Sequence, residues 1–250
     1  MVKYAGGKTK ISSHIFNVIS QLFILAENKK IKINGYLEPF CGSLAITKAF
    51  YEGIFEGSKI PIYASDYNKD LILLYKEIKK GTFGYPTNIT KEQYSLLKQE
   101  KSSALRGFVG IAYSYGGGWF NGYLYGDNKR NYVDEAIRAF KDLEPTIKNT
   151  SFLNEDYKNL NPKNLFIYCD PPYVNTTQIY KINTFNTKEF WEIMRKWSKN
   201  NIVVVSELTA PSDFKCIWKY KYNTRFMTND VSRTEKLFIH TDLMKRLRAF

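Results

Sequence analysis

Apolar and polar positions along the chain follow first a helical and then a strand-like pattern. Between residues 9 and 27 the apolar side chains recur at helical spacing, and they are Ile11, Ile15, Val18, Ile19, Leu22 and Leu25. This spacing predicts a first helix, for which Thr9 or Ser12 can serve as the cap. Short apolar runs at Ile33 to Pro39 and Ile60 to Ser65 then predict two strands.

Each of these strands leads into a predicted helix. The first turns at Cys41-Gly42-Ser43 into a helix that runs to about Tyr51, and the second ends before Asp66 and a helix from Asn68 to Lys80. Alternation of strands and helices predicts an α/β fold with a parallel sheet.

The alternation breaks between Gly81 and Thr146. Short helices are predicted there at about 91–99, 103–114 and 132–144, around a glycine- and aromatic-rich loop from Tyr115 to Arg130. We therefore expect an inserted subdomain over residues 81–146, within a main domain made of residues 1–80 and 147–250.

Strand patterns return after the insertion. The predicted strands are Ser151 to Leu153, Leu165 to Cys169 and Ile202 to Ser206, with a helix from Lys188 to Lys199 between the last two. The segments Phe214 to Tyr222 and Lys236 to His240 predict a closing hairpin.

Charge and composition narrow the class of partner. The 250 residues include 37 Lys and Arg against 24 Asp and Glu, a net charge of +13. Such an excess favours a polyanion such as nucleic acid, although a generically basic protein would also show it. Aromatic residues make up 16% of the chain, and many stand beside Lys, Asn and Arg, which suits stacking on bases.

Metals, disulfides and membranes are disfavoured. Three widely spaced cysteines and two histidines do not form a disulfide framework, and they make a zinc site improbable, so we expect no metal. No apolar stretch approaches the roughly 18 residues that span a bilayer, and the N-terminus lacks a signal-peptide core. A cytoplasmic protein is expected.

The tetrapeptide Asp170-Pro171-Pro172-Tyr173 follows the predicted strand at Leu165 to Cys169. Ligands of open α/β sheets bind outside the carboxyl ends of strands, so this corner should face a substrate cleft. The Asp170 carboxylate and the Pro171 carbonyl are two acceptors for the hydrogens of a planar exocyclic amine, and Tyr173 can stack on the base. A simple proline turn at a strand end is the alternative.

A second motif, Glu38-Pro39-Phe40-Cys41-Gly42-Ser43, is a strand-to-helix turn of the kind that holds a nucleotide-like cofactor. Asp66, after the next strand, can take ribose hydroxyls, but the G-x-G-x-x-G spacing is missing. A nicotinamide cofactor is therefore disfavoured, whereas S-adenosylmethionine is allowed, with Glu38 at its charged amino acid end.

Gly6-Gly7-Lys8-Thr9 resembles part of a P-loop, but the earlier glycine of that motif would fall at Val2. The glycines instead open the first helix, where Lys8 can reach a carboxylate such as that of a bound amino acid. A plain helix start explains the same residues equally well.

In this order, Lys3-Tyr4-Ala5-Gly6-Gly7-Lys8, Glu38 to Gly42, Ser65-Asp66 and Asp170 to Tyr173 resemble the Dam-type (class alpha) DNA adenine-N6 methyltransferases. The resemblance is closest to the short orphan versions found in phages, for which the host cytoplasm would be the location. It continues through residues 108–123, Phe190-Trp191, Val205-Ser206-Glu207 and Glu235-Lys236-Leu237-Phe238, and so covers almost the whole chain.

The resemblance implies a Rossmann-like, seven-stranded methyltransferase fold that binds S-adenosylmethionine and double-stranded DNA. By its motifs the cofactor residues are Tyr4, Ala5, Gly6, Gly7, Lys8, Glu38, Pro39, Phe40, Cys41, Gly42, Ser43, Asp66, Asp156 and Asp170. The resemblance implies that Tyr4, Ala5, Gly6 and Lys8 flank the methionine part and that Glu38 to Gly42 form the main binding turn. It also implies that Asp66 holds the ribose and that Asp156 meets the adenine. Asp170, Pro171, Pro172 and Tyr173 would orient a flipped target adenine for direct methyl transfer.

The sequence departs from the family's Phe-x-Gly-x-Gly, because Leu44 stands where the second glycine would be. We expect a wider turn or weaker cofactor binding there. The insertion also looks shorter than in the enzymes that read GATC, so that specificity is not carried over.

Recognition of the DNA target sequence, which we call site reading, is expected to come from the insertion and its flanks. The candidates combine phosphate-binding charge with aromatic and amide groups, and they are Arg106, Trp119, Asn121, Lys129, Arg130 and Asn131. Packing of Trp119 and solvation of the basic residues is the alternative.

Other functions also fit parts of the sequence. They include methylation of cytosine N4 or of RNA adenine, and a DNA-binding protein that has lost turnover. The sequence does not give the oligomeric state; a monomer or weak dimer is expected.

Overall fold

The computed structural model of the chain describes residues 2–55, 60–124, 126–127, 130–172, 185–226 and 229–247. Its helices are α1 (Ser12–Asn28), α2 (Ala45–Phe50), α3 (Lys69–Lys80), α4 (Lys91–Leu97), α5 (Ala104–Ala112), α6 (Tyr132–Lys148), α7 (Thr187–Ser198) and α8 (Thr241–Leu247). Its strands are β1 (Tyr36–Glu38), β2 (Ile62–Ser65), β3 (Gly126–Asp127), β4 (Arg130–Asn131), β5 (Thr150–Leu153), β6 (Phe166–Cys169), β7 (Ile202–Ser206), β8 (Phe214–Phe226) and β9 (Asn229–His240).

Seven strands form one mixed sheet in the order β5-β2-β1-β6-β7-β9-β8. The pairs from β5 to β7 are parallel, whereas β9 is antiparallel to both β7 and β8. Chain order reverses between β1 and β6, which is the position where open α/β sheets bind ligands. The expected fold class, a Rossmann-like methyltransferase sheet of seven strands, is confirmed.

Alternate residues of the central strands supply two cores. Tyr36 and Phe166 pack with α1, α2 and α8 on one face, and their neighbours Leu37 and Ile167 pack with α7 on the other. Because both faces are covered, these strands are apolar throughout and lack the alternation of a half-exposed sheet.

A third apolar cluster joins the insertion to the main sheet. It includes Ala64 of β2 and Phe152 of β5 together with side chains of α3, α4, α5 and α6. Tyr75 of α3 stacks on Phe152 with ring centroids 5.2 Å apart. The insertion therefore shares its core with α3 and β5, and its treatment as a separate subdomain stays a prediction.

Element boundaries differ from expectation by three residues or more in three places. Strand β1 begins at Tyr36 rather than Ile33. The preceding residue, Gly35, lies so close to the Pro61 carbonyl oxygen that an added Cβ would be 2.8 Å from it. Helix α6 continues past Pro145 to Lys148. The closing hairpin is confirmed, but β8 and β9 are 13 and 12 residues long and extend well beyond the predicted segments.

The turn after β1 contains the departure at Leu44. Leu44 has φ 59° and ψ 25°, the left-handed conformation that favours glycine, and its N–H donates to the Cys41 carbonyl at 2.7 Å. The leucine side chain is fully buried in the cluster of α3 and the insertion. A tight turn therefore forms with Leu44 at a backbone cost of roughly 1 kcal/mol, offset by its burial.

This balance predicts an unusual order of stability for substitutions at Leu44. Leu44→Ala loses the buried side chain but keeps the unfavourable φ, so about 2 to 5 kcal/mol of unfolding free energy should be lost. Leu44→Gly loses the same contacts but relieves the backbone, and it should be more stable than Leu44→Ala by about 1 kcal/mol. Urea unfolding of the two variants measures the difference, and a less stable glycine variant would contradict it.

Candidate active site

Acidic side chains gather at the carboxyl-end edge of the sheet. Glu38 closes β1, Asp66 follows β2, Asp156 lies beyond β5 and Asp170 follows β6. Neighbouring parallel strands end at the same edge, so the two central strands, β1 and β6, place Glu38 and Asp170 on either side of the position where chain order reverses.

The N-terminal segment lies across the turn that follows β1. The Gly7 N–H donates to the Tyr4 carbonyl at 2.9 Å, which closes a tight turn. A Cβ on Gly7 would come within 3.1 Å of Ser43 Oγ, and one on Gly42 within 3.0 Å of the Tyr4 ring. The structure thus brings together residues 4–8 and 38–43, the two motifs expected to bind the cofactor.

The glycines of the insertion loop hold the same segment from the other side. The Ala5 N–H donates to the Gly117 carbonyl at 3.2 Å. Gly117 has φ 68°, and a Cβ there would lie 2.2 Å from the Lys3 carbonyl oxygen. Close backbone contact at this position therefore requires glycine and couples the insertion to the site.

Lys8 connects three separate parts of the chain. Its Nζ donates to Asp170 Oδ1 at 2.7 Å and lies 3.7 Å from Glu235 Oε2 of β9. Lys8 and Glu235 are 6% and 2% exposed, so this cluster is closed to solvent on most sides. Ser206, the last residue of β7, donates its hydroxyl to Glu235 Oε1.

Asp170 and the nearby Glu207 have raised pKa values. Burial raises the pKa of Asp170 to about 6; Lys8 opposes this rise, and Glu235 adds to it. Burial also raises the pKa of Glu207 to about 7. For Lys8, burial lowers the pKa, but the carboxylates of Asp170 and Glu235 outweigh it and raise the pKa overall. An ionised Asp170 therefore depends on Lys8.

Glu38 is held from behind by helix α2. Its Oε2 accepts hydrogen bonds from the Thr47 N–H at 2.9 Å, from the Thr47 hydroxyl and from the Tyr36 hydroxyl. Burial raises the pKa of Glu38 to about 8, although the Thr47 hydrogen bonds oppose the rise. A cationic group placed against this carboxylate would stabilise its ionised form, as expected for the amino end of a cofactor.

Asp66 fixes the other side of the turn. Its Oδ2 accepts the Gly42 N–H at 3.0 Å and its Oδ1 accepts the Asn68 N–H at 2.8 Å. Burial raises the pKa of Asp66 despite these two hydrogen bonds. Carboxylate oxygens accept more than one hydrogen bond, so Asp66 can still meet a ribose hydroxyl.

A shallow depression of about 420 Å³ lies beside Asp66, at the ends of β2 and β5. It is lined by Tyr67, Lys69, Asn154, Glu155, Asp156 and Asn159. The Asp156 carboxylate also accepts the Lys158 N–H at 3.0 Å. The residue expected to meet the cofactor adenine thus faces a space beside the expected ribose site, together with its neighbour Glu155.

Asp170 to Pro172 are described, with Pro171 buried and Pro172 exposed, whereas Tyr173 lies outside the described residues. Phe40, from the turn after β1, packs with Tyr157 and Phe190 at centroid distances of 5.0 and 6.1 Å. Aromatic packing therefore supports the turn on its α7 side.

The candidates for site reading separate into two groups. Arg106 forms an ion pair with Asp70, donates its Nε to the Leu97 carbonyl at 2.9 Å, and lies over the Trp119 ring at 5.3 Å. Trp119 itself packs against Phe120 and the insertion core. Both side chains are therefore engaged in contacts inside the insertion.

The second group is at the surface. Asn121 and Arg130 are exposed, and Arg130 pairs with Glu135 through Nε at 2.6 Å. Asn131 caps α6, because its Oδ1 accepts the N–H groups of Val133 and Asp134. Lys129 lies outside the described residues.

Sequence reasoning assigned no role to Glu207 and Glu235. Both are buried beside Asp170, and both lie in blocks that carried the family resemblance, Val205-Ser206-Glu207 and Glu235-Lys236-Leu237-Phe238. For Glu207 the available signal was its position directly after the apolar run Ile202 to Ser206. For Glu235, between Thr234 and Lys236, the sequence offered no such signal.

The sequence matches the model of the D12 class N6 adenine-specific DNA methyltransferases over residues 4–229. The chain belongs to this family. It is therefore an S-adenosylmethionine-dependent enzyme that methylates adenine in DNA, as the resemblance of its motifs predicted. No curated protein matches the chain with significance.

Solved structures of two methyltransferases are similar to this chain. One is magnesium protoporphyrin IX methyltransferase from Synechocystis PCC 6803 with bound SAM, at 10% identity and a TM-score of 0.35, over 94% of this chain and 83% of that one. The other is an rRNA methyltransferase from Streptomyces viridochromogenes, at 12% identity and a TM-score of 0.36, over 92% and 86%. The fold assignment rests on the sheet order and the family, not on these scores.

Metal sites and membrane spans are not found in the described part of the chain. Its His, Cys, Asp and Glu side chains form no group of three that could hold a metal ion. None of its helices combines the length and apolar composition that a bilayer crossing requires.

The raised pKa of Glu207 predicts how stability depends on pH. A carboxyl that binds its proton more tightly when folded stabilises the fold fully below its unfolded pKa of about 4.3, and this contribution is lost as pH rises through about 7. Relative to Glu207→Gln, the wild type should therefore lose about 1 to 3 kcal/mol of unfolding free energy between about pH 5 and pH 8.

Urea unfolding at several pH values measures this difference. The exposed Glu27→Gln variant is the matched control, and it should run parallel to the wild type. A difference between wild type and Glu207→Gln that stays constant with pH would contradict the prediction.

Proposed function

We propose that the enzyme flips its target adenine out of the DNA duplex and holds the base at Asp170-Pro171-Pro172-Tyr173 for direct methylation of N6. The observation that carries the proposal is the position of Asp170, a mostly buried carboxylate at the end of β6 with Lys8 on its Oδ1 at 2.7 Å. Chemistry on a base inside a duplex requires such extrusion, at a cost of a few kcal/mol.

The residues around the turn after β1 fit S-adenosylmethionine. Glu38 supplies a buried carboxylate for its amino group, Gly42 leaves room beside the Tyr4 ring, and Asp66 lies at the end of β2 for the ribose. The depression lined by Asn154 and Asp156 extends this path toward an adenine. When bound, the cofactor supplies a methyl group on a sulfonium, which leaves as a thioether.

Asp170 and the Pro171 carbonyl act on the amine of the target base. The N6 lone pair is delocalised into the ring, and two acceptors aimed at its hydrogens localise it toward the methyl group. Lys8 donates to Oδ1 of Asp170, and Ser206 also donates a hydrogen bond to this carboxylate. Carboxylate oxygens accept more than one hydrogen bond, so Asp170 can still accept an N6 hydrogen. As the new N–C bond forms, N6 becomes positive and would give up a proton. We assign the ionised Asp170 as the acceptor of this proton.

Positioning supplies most of the rate in this proposal. Lys8, Asp170 and Glu235 are held by their contacts with one another and with Ser206 at the end of β7. Preorganised groups of this kind cost little reorganisation during the reaction. Glu38 and Asp66, proposed for the cofactor, lie at the ends of β1 and β2, whereas Asp170, proposed for the base, lies at the end of β6. A base that enters beside β6 would therefore meet the methyl group between these two sets of residues.

Substitution of Asp170 tests the assignment. Asp170→Asn keeps the size of the side chain but removes the charge and replaces one acceptor by a donor, so turnover should fall by about 10²-fold or more. S-adenosylmethionine should still bind, because Glu38 and Asp66 are unchanged. Methyl incorporation and calorimetric titration with S-adenosylmethionine measure the two properties separately.

Glu27→Gln is the control for turnover, because Glu27 lies near the end of α1 and outside the site. An Asp170→Asn enzyme with near wild-type turnover would refute the role of Asp170, and loss of cofactor binding in the same variant would place Asp170 at the cofactor instead.

We propose that site reading comes from the exposed part of the insertion, at Asn121, Arg130 and Asn131. Asn121→Ala removes an exposed amide able to reach a base edge, so the methylated motif should broaden while stability stays unchanged. Trp119→Ala should instead lower the unfolding free energy by about 3 kcal/mol, since Trp119 packs on Phe120 and Arg106.

Expression in a host without its own adenine methylation, followed by single-molecule sequencing of the DNA, reads the motif directly. An unchanged motif in Asn121→Ala, and in a variant whose residues 121–130 are replaced, would place site reading elsewhere.

A further inference from the structure

The hairpin of β8 and β9 projects from the edge of the sheet that carries the site. Pairing of β7 with β9 ends at Ser206 and Leu237, and residues 229–235 of β9 continue beyond it with β8 alone. At about 3.3 Å per residue, the hairpin extends roughly 20 Å past the end of β7. Its base is at the reactive centre, because Glu235 lies 3.7 Å from Lys8.

One face of this hairpin is anchored by aromatic rings. Trp218, Tyr220 and Tyr222 stack in sequence with centroid distances of 5.5 and 6.2 Å. Tyr220 also stacks on His14 of α1 at 4.3 Å. The hairpin is therefore fixed against α1 through alternate residues of β8, and the intervening residues point the other way.

The opposite face, from the pair Lys219–Lys236 to the pair Asn223–Ser232, we name the lysine face, and this stretch carries no carboxylate. The next pair in the same register is Arg225 and Asp230. The members of the lysine face are Lys219, Lys221 and Asn223 of β8 and the residues opposite them on β9, Lys236, Thr234 and Ser232. Lys219, Lys221, Asn223 and Ser232 are exposed. All six side chains can donate hydrogen bonds, and lysine, hydroxyl and amide groups are the usual side-chain donors to phosphate oxygens.

The charge on this face is unbalanced. Lys219 and Lys236 stand directly opposite each other, and like charges in that position destabilise a sheet. Within the described residues no carboxylate lies within 4.0 Å of Lys219, Lys221 or Lys236, whereas Lys3, Arg106 and Arg130 in the same protein all have one. A polyanion bound here would remove the repulsion.

We propose that the lysine face binds the phosphate backbone of duplex DNA beside the target base. A duplex whose flipped base reaches Asp170 passes the base of the hairpin, where Glu235 and Lys8 lie, and the projecting strands then run along it. Such contacts position the duplex without reading its sequence. The inference rests on the proposed function, because it takes DNA as the substrate of the same site.

Duplex binding by a Lys219→Gln/Lys221→Gln variant tests the inference. A fluorescent DNA duplex is titrated with protein, and the affinity is measured between about 50 and 200 mM salt. Loss of two phosphate contacts should weaken binding by about 3- to 10-fold at 0.1 M salt and reduce the slope of log K against log salt by about 2. The KM for DNA should rise, and turnover at saturating DNA should stay unchanged.

The matched control is Lys29→Gln/Lys32→Gln. These two exposed lysines precede β1, at the opposite edge of the sheet, and their removal changes the net charge by the same amount. This control should bind duplex as the wild type does. Lys219→Arg/Lys221→Arg should retain binding, because the charge is kept. Equal weakening in both glutamine variants, or none in Lys219→Gln/Lys221→Gln, would overturn the inference.

Stability and association separate binding from a purely structural role. The glutamine variant of the hairpin should be as stable as the wild type or slightly more stable, since a like-charge pair is removed. Aggregation of that variant with unchanged DNA affinity would mean that the lysines only protect an edge strand, and would overturn the inference.

The inference and the proposed function can fail separately. Duplex binding needs no methyl transfer. If Asp170→Asn leaves turnover unchanged while Lys219→Gln/Lys221→Gln weakens duplex binding, only the proposed role of Asp170 is refuted.

Discussion

The Lys8 ammonium, buried between the carboxylates of Asp170 and Glu235, is the contact on which the site depends. It joins the N-terminal segment to the end of β6 and to the middle of β9, two strands that β7 separates in the sheet. Buried charges are tolerated only when they are paired, because moving an ion out of water costs several kcal/mol. The three groups therefore hold one another in place, and the same pairing keeps Asp170 able to ionise.

Much of the architecture could be predicted because apolar runs and their spacing report burial directly. Strands at Ile62–Ser65, Phe166–Cys169 and Ile202–Ser206 lie where the apolar runs placed them, and each leads to the same edge of the sheet. Motif order then indicated the family. Partners across the fold could not be predicted in this way: Arg106 carried the expected charge, but its pairing with Asp70 depends on how α5 packs against α3.

Hairpin length and buried acids escaped prediction for related reasons. Residues 223–226 and 229–235 are mostly polar or charged, so they lack the apolar alternation that marks a half-buried strand. They extend β8 and β9 by pairing across the hairpin. Glu235 looks like a solvent-facing residue in the sequence. Only the fold reveals that Lys8, more than 200 positions earlier in the chain, lies against it. The sequence showed that Leu44 replaces a glycine of the family motif. It did not show that Leu44 adopts the left-handed conformation and keeps the turn tight.

The placement of the insertion has a consequence for how the chain reaches its native state. Strand β5 pairs with β2 in parallel register, Ile62 opposite Thr150, although the whole of residues 66–149 lies between the two strands. Closing so long a loop is entropically costly, and such non-local pairings slow folding. Helices α3 to α6 form one apolar cluster with both strands, so they can shorten the effective loop before it closes. We therefore expect this helical cluster to form ahead of the β2–β5 pair, and the contact of Lys8 with residues of β6 and β9 to be among the last to form.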